Sequence, residues 1–162
     1  MGKRIVVAKR RRREGKTNYS KRLKLLQGNK PRLVVRKTNR YIIAQIVTSK
    51  EARDSVVVGY TTKKLSEFNW QYSFKCLPAA YLLGLIIGKK AREKGINEAI
   101  LDVGLHRVTK GNKIFAVVYG VSKFINVPHS KEILPSIERL YGKHIDEAIE
   151  KKVKEIEAKL LE

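Results

Sequence analysis

The first 40 residues carry sixteen lysines and arginines against one acid, Glu14, and such charges stay out of an apolar interior unless they are paired. Net charge falls from +15 over residues 1–40 to +7 over 41–130 and −1 over 131–162, giving +21 in all. Such a field selects a polyanion as partner. Arg10, Arg11, Arg12 and Arg13 repel one another unless a counter-anion joins them, and Lys9, Lys16, Lys21, Arg22 and Lys24 extend the run. Ordering a backbone costs about 1–2 kcal/mol per residue, so the arm is expected to be poorly ordered alone and to be fixed by phosphates, which suit the arginine fork. The plainer alternative is a solvated tail or a nuclear-address run. Thr17, Asn18, Tyr19 and Ser20 favour nucleic acid over that alternative, because they add hydrogen-bonding and stacking groups that an address does not need.

With 162 residues, 43% of them hydrophobic, the chain can bury one core and carry tails, which excludes wholesale disorder. The single cysteine, Cys76, forms no intramolecular disulfide and lacks the neighbours of a zinc site. The longest apolar run, Leu77 to Gly88, is about 12 residues where a membrane span needs roughly 18 or more. Met1 to Val6 is too short an apolar start for a signal peptide, and Val6 stands where a myristoylation motif wants Ser or Thr. A soluble, intracellular protein is expected.

After Gly28-Asn29-Lys30-Pro31 the sequence turns β-like. Residues 32–37 and 41–47 are rich in β-branched residues, Thr38-Asn39-Arg40 forms the turn between them, and 55–60 supplies a third strand. This predicts a three-stranded, mainly antiparallel meander that clusters Arg36, Lys37, Asn39 and Arg40 at one hairpin end. Leu77, Ala80, Tyr81, Gly84, Leu85 and Gly88 share a helix face, with Pro78 suited to the first turn and Gly95 to the stop. Leu82, Leu83, Ile86 and Ile87 are apolar too, so this helix should be covered nearly all round, with Gly84 and Gly88 permitting close approach to the sheet. Residues 99–103 read as a further short buried strand, followed by a basic connection from Gly104 to Gly111 that carries Arg107 and Lys110, with Lys113 just beyond. From Ile114 to Ile125 the β-branched content favours a strand, while the length and the i, i+3, i+4, i+7 spacing favour a helix; helix is the reading adopted. The tail predicts a short helix ending at Tyr141-Gly142, then a longer one with an apolar stripe of Ile145, Ile149, Val153, Ile156 and Leu160. Its i, i+4 pairs are Glu147 with Lys151, Glu150 with Lys154 and Glu155 with Lys159. Such a helix docks on its own body or on a neighbour. The expected whole is an α/β fold with helices packed on the sheet, divided into a basic arm (1–30), an α/β body (31–130) and a C-terminal helical appendage (131–162).

Chemistry is weakly supported. Gly84 to Lys90 has three residues between its glycines and no Ser or Thr after the lysine, so it is not a phosphate loop. Asp102 reads as an anchor for the following turn or a partner of Arg107 rather than a magnesium ligand. His106, His129 and His144 stand at no ligand or triad spacing. No catalytic residue, metal ligand or cofactor is expected. Two rivals to specific RNA binding remain: a general polyanion binder, and an RNA-processing enzyme using Asp54 and Asp102 with magnesium.

The run RRRREGKTNY (10–19), then PRLVVRKTNRYIIAQI (31–46), PAAYLLGLIIGKKA (78–91), ILDVGLHRVTKGNKIFAVVYG (100–120) and VPHS (127–130), in that order, resembles the large-subunit ribosomal protein family numbered eighteen in its archaeal form. The eukaryotic counterpart of that family is numbered five. The resemblance covers about residues 3 to 145 and implies a carrier of 5S ribosomal RNA that docks on large-subunit ribosomal RNA. It further implies a place beside neighbouring ribosomal proteins in the central protuberance of the cytoplasmic ribosome, with no membrane contact. Carried over, it implies RNA contacts at Arg10, Arg11, Arg12, Arg13, Lys16, Thr17, Tyr19, Arg22, Arg32, Arg36, Lys37, Asn39 and Arg40, and secondary contacts at Arg107, Lys110 and Lys113. Lys9 and Lys21 join them from the charge of the arm. Tyr19 and Tyr41 either stack on unpaired bases or pack on their own hairpin. The chain departs from the family at residues 119–126 and at Cys76-Leu77, where relatives carry a polar Asn-Thr before the proline.

Overall fold

Two β-branched runs joined by a three-residue turn are bound to pair. In the computed structural model, which describes residues 6–51 and 53–161, β1 (Arg32–Lys37) and β2 (Ile42–Lys50) form an antiparallel hairpin. Met1 to Ile5, Ala52 and Glu162 lie outside the described residues. β3 (Arg53–Thr61) pairs antiparallel with β2, and β4 (Ile100–Asp102) pairs parallel with β1 through Arg32↔Ile100, Leu33↔Leu101 and Val34↔Asp102. The order β3-β2-β1-β4 gives the expected meander plus one strand. β2 and β3 run longer than their β-branched stretches because Glu51, at φ +50°, helps close a tight connection that extends the pairing to Lys50↔Arg53. A bulge between Ile46 and Val47 leaves Val57 without an opposite residue.

Side chains alternate across a strand, and β1 separates its two faces by chemistry. Leu33 and Val35 are buried in the main core, while Arg32, Val34 and Arg36 point to the other side of the sheet. The core is closed by α3 (Leu77–Glu93), of whose 17 residues all but Lys89, Lys90, Arg92 and Glu93 are buried, and by α4 (Lys113–Ser122). Pro78 stands in the first turn of α3, and Gly95, at φ +75°, follows its end. Cys76 occupies the cap position without capping; its thiol donates to the Ser73 carbonyl at 2.9 Å.

The small-residue face of α3 does not meet the sheet. A Cβ on Gly84 would run into the Val117 carbonyl, and one on Gly88 would lie 2.8 Å from the Phe124 ring. From the other helix, a Cβ on Gly120 would lie 2.5 Å from the Tyr81 carbonyl oxygen. The glycines therefore bring α3 and α4 backbone to backbone, correcting the expectation of a glycine contact with the sheet. Spacing along one helix reports a narrow face but not which neighbour fills it.

The tail folds back onto its own body. α5 (Ile137–Tyr141) and α6 (Glu147–Leu161) pack against α3, and Ile149, Val153, Ile156 and Leu160 join the main core. Ile145 is 53% exposed, because it precedes the first turn of α6 and so leaves the stripe. Glu150 with Lys154 (2.6 Å) and Glu155 with Lys159 (2.7 Å) form as expected. Among the described residues Glu147 has no ion pair with Lys151; Lys152 pairs with Glu155 instead, at 2.9 Å.

Candidate nucleic-acid interface

The arm has local structure of its own. α1 (Arg10–Arg13) is one exposed turn of arginines, and α2 (Tyr19–Gln27) follows it. Glu14 sits 2.9 Å from Lys16 and 3.8 Å from Arg10, which lowers the repulsion that the sequence predicts. Arg11 Nε donates to Thr17 Oγ1 at 2.8 Å, Asn18 Oδ1 caps α2 by accepting the Lys21 N–H at 3.1 Å, and Lys9 Nζ stands 4.9 Å over the Tyr19 ring. These local bonds accompany two short helices in an arm that the sequence predicts to be poorly ordered alone. No residue of either helix is fully buried; α2 half-buries Leu25 and Leu26 and is tied to the sheet by Arg22.

That charge forms an alternating chain. Arg22 Nη2 donates to Asp54 Oδ2 at 2.9 Å, Arg32 Nη2 to Asp54 Oδ1 at 2.7 Å, Arg32 Nη1 to Asp102 Oδ2 at 2.9 Å, and Arg36 Nη2 to Asp102 Oδ1 at 2.9 Å. Ser49 adds a bond to Asp54. Burial alone would raise the Asp54 pKa, but the bonds from Ser49, Arg22 and Arg32 hold it below the ordinary value. Asp102 also accepts the Gly104 N–H at 2.8 Å, so it does anchor the following turn. Its arginine partners, however, are Arg32 and Arg36 rather than Arg107.

Arg32 is corrected as an RNA contact. Its residue exposure is 2%, its guanidinium is committed to two carboxylates and a hydroxyl, and its Nε is buried without a partner. The family resemblance implied it as an RNA contact, whereas its place in the sheet makes it the internal cation between two acids. A magnesium site at Asp54 and Asp102 is also unsupported, since both carboxylates are engaged by arginine, and among the described residues no cluster of three metal-ligating side chains occurs.

The remaining candidates divide by place. Arg11, Lys16, Thr17, Lys21, Arg22 and Arg36 line one groove of about 570 Å³ between the arm and the β1/β4 edge, floored by Leu25, Leu101, Val103 and Leu105. Arg12 and Tyr19 line a second hollow that shares Thr17, Asn18 and Leu105 with the first. Lys9, Arg10 and Arg13 are exposed along the arm, Lys37, Asn39 and Arg40 at the hairpin end, and Arg107 and Lys110 on the connection after β4. Tyr41 takes the packing alternative, with its ring centroid 6.0 Å from that of Phe74. Lys113 is half-buried, and burial, then the charges of Lys75 and Lys37, push its pKa down.

Sequence reasoning missed Lys75, Leu105 and the two aspartates as parts of this surface. It had a usable signal for Asp102: Arg32 and Arg36 share a strand face, which requires buried countercharge if that face is covered. His106 was also undervalued. Its Nε2 accepts the Lys37 N–H at 3.0 Å, and burial, with Lys37 and Arg36 nearby, lowers its pKa, so the neutral ring ties the loop to the hairpin.

The family described as "Ribosomal large subunit proteins 60S L5, and 50S L18" matches residues 3–98, which run from the arm through the meander and α3. Over 149 residues the chain is 49% identical to large ribosomal subunit protein uL18 of Korarchaeum cryptofilum (strain OPF8), covering 91% of this chain and 76% of that one. The chain belongs to this family. As a member of the uL18 family it is a structural protein of the large ribosomal subunit. No helix among the described residues is long and apolar enough to cross a membrane.

Proposed function

We propose that this uL18-family protein binds 5S ribosomal RNA through its arm and the groove beside it, and attaches that RNA to large-subunit ribosomal RNA within the central protuberance. The observation that carries the reading is the groove itself, where cations from the arm and from β1 converge over an apolar floor. Phosphate contacts from Arg10 to Arg13, Lys16 and Lys21 supply affinity, while the sheet supplies a rigid surface that reads RNA shape. Exposed Lys37, Asn39 and Arg40 at the hairpin end, with Arg107, Lys110 and Lys113, form a second basic region suited to the other RNA or to a further segment of the first.

The test is binding to homologous 5S RNA and to an unrelated RNA of equal length across a salt series. Both weaken as salt rises, because six to ten phosphate contacts lose about 10³–10⁵-fold between roughly 50 and 200 mM. The deciding quantity is the ratio at the higher salt. A ratio above about a hundredfold, or ~2.7 kcal/mol, supports 5S recognition; a ratio near one leaves a general polyanion binder.

A further inference from the structure

We propose that the turn carrying Leu105 is a wedge for one unstacked RNA base, with the adjoining phosphate held by cations of the arm. This rests on the RNA-binding reading above and deepens it by naming the element recognised. Leu105 is 55% exposed, although the surface around it is cationic, and it lines both the main groove and the neighbouring hollow of about 360 Å³. A solvent-facing leucine among lysines and arginines gives no gain in the free protein. It gains when a flat, weakly polar surface covers it.

The turn is held in place for such contact. Gly104 has φ +59°, its N–H bonds to Asp102, and its backbone lies against the Arg36 guanidinium, where an added Cβ would stand 2.8 Å from Cζ. The His106 N–H bonds to the Val103 carbonyl at 3.2 Å, and the His106 ring is tied to Lys37. Leu105 is therefore presented by a pinned backbone, so little ordering entropy is lost when it is covered. Beside it Asn18 spends its carbonyl oxygen on the α2 cap, which leaves its amide N–H groups for a base edge. The rim from Lys16 and Lys21 provides charge for the phosphate. An apolar wall, one amide and a cationic rim match a single nucleotide taken out of its stack. A continuous duplex keeps its base faces covered and cannot use the wall.

The experiment compares the full-length protein with Leu105→Ser and Leu105→Phe on homologous 5S RNA and on a fully paired RNA duplex of equal length, at one salt concentration. The expected result is about a tenfold weakening of 5S binding by Leu105→Ser, recovery by Leu105→Phe, unchanged duplex binding and unchanged Tm. Dimethyl sulfate probing of the bound 5S RNA should show an unpaired base whose reactivity changes with the wild type and not with Leu105→Ser. If the wild type prefers 5S RNA but Leu105→Ser binds it within twofold, the wedge is overturned while 5S recognition stands, and the leucine then belongs to a protein contact. If the wild type binds both RNAs equally, 5S recognition fails and takes the wedge with it.

Discussion

α2 and α6 are both helices appended to the same body, and they differ in how much of the attachment is buried. α6 places Ile149, Val153, Ile156 and Leu160 in the core and seals the contact with Glu157, which is 7% exposed and accepts from Tyr81 Oη and Lys123 Nζ, both at 2.6 Å. α2 buries no residue fully and is joined to the sheet through Arg22 and Asp54, both partly exposed. Apolar burial is insensitive to salt, whereas exposed ion pairs are screened by it. The α6 attachment should therefore survive added salt, and the Arg22–Asp54 tie of α2 should weaken with it.

The largest test of this contrast is Ile156→Ala, which should cost ~2–5 kcal/mol of stability and lower Tm while leaving RNA affinity per folded molecule unchanged. A loss of RNA affinity with unchanged Tm would reverse the roles assigned to the two helices. Next, Glu157→Leu leaves the Lys123 ammonium without its carboxylate and should cost ~1–3 kcal/mol, read by chemical denaturation. Burial would raise the Glu157 pKa, but Lys123, Tyr81 and Tyr141 bring it below the ordinary 4.5. The stability it contributes is full above that value and is lost as pH falls through the lowered folded value. Acid unfolding of Glu157→Leu should accordingly be less steep in that window than that of the wild type.

A smaller effect is expected at the arm, where it separates positioning from bulk charge. Asp54→Asn makes the protein more positive, so charge alone predicts tighter RNA binding. Loss of the hold on Arg22 and Arg32 predicts the opposite, roughly three- to tenfold weaker binding, or about 1 kcal/mol, with faster tryptic cleavage between residues 10 and 27. Tighter binding by Asp54→Asn would dismiss the anchoring role. The smallest effect concerns His106, whose pKa is lowered from 6.5 by burial, Lys37 and Arg36. A base with a depressed folded pKa contributes stability above its unfolded value and loses it as pH falls through the folded one. The protection of the amides in residues 104–107, measured relative to their intrinsic exchange rates at each pH, should therefore fall on acidification below about pH 6.5, while α6 stays protected until its carboxylates titrate.

Much of this could be read in the residues because periodicity reports burial directly. The β-branched runs located β1 to β3, and the i, i+3, i+4 spacing located α3 and α4 even where valine and isoleucine favoured strand. What could not be read depended on partners distant in the chain. Arg32 looked like any other cation of a basic protein until Asp54 and Asp102 were seen to enclose it. Gly84 and Gly88 marked a close approach, yet nothing local distinguished a helix from a sheet as the other surface. Ile145 matched the stripe by number and left it because the helix begins at Glu147.

The alternating arginine and aspartate chain also has a bearing on synthesis. Arg22 is separated from Asp54 by 32 residues, and Arg32 from Asp102 by 70. Translation starts at the N-terminus, so the cations are made well before the acids that engage them, and at about 5–20 residues per second the wait lasts several seconds. During that interval the nascent segment has Glu14 as its nearest acid and presents all its arginines to surrounding polyanions. The unfinished chain thus carries more unpaired positive charge than the finished one.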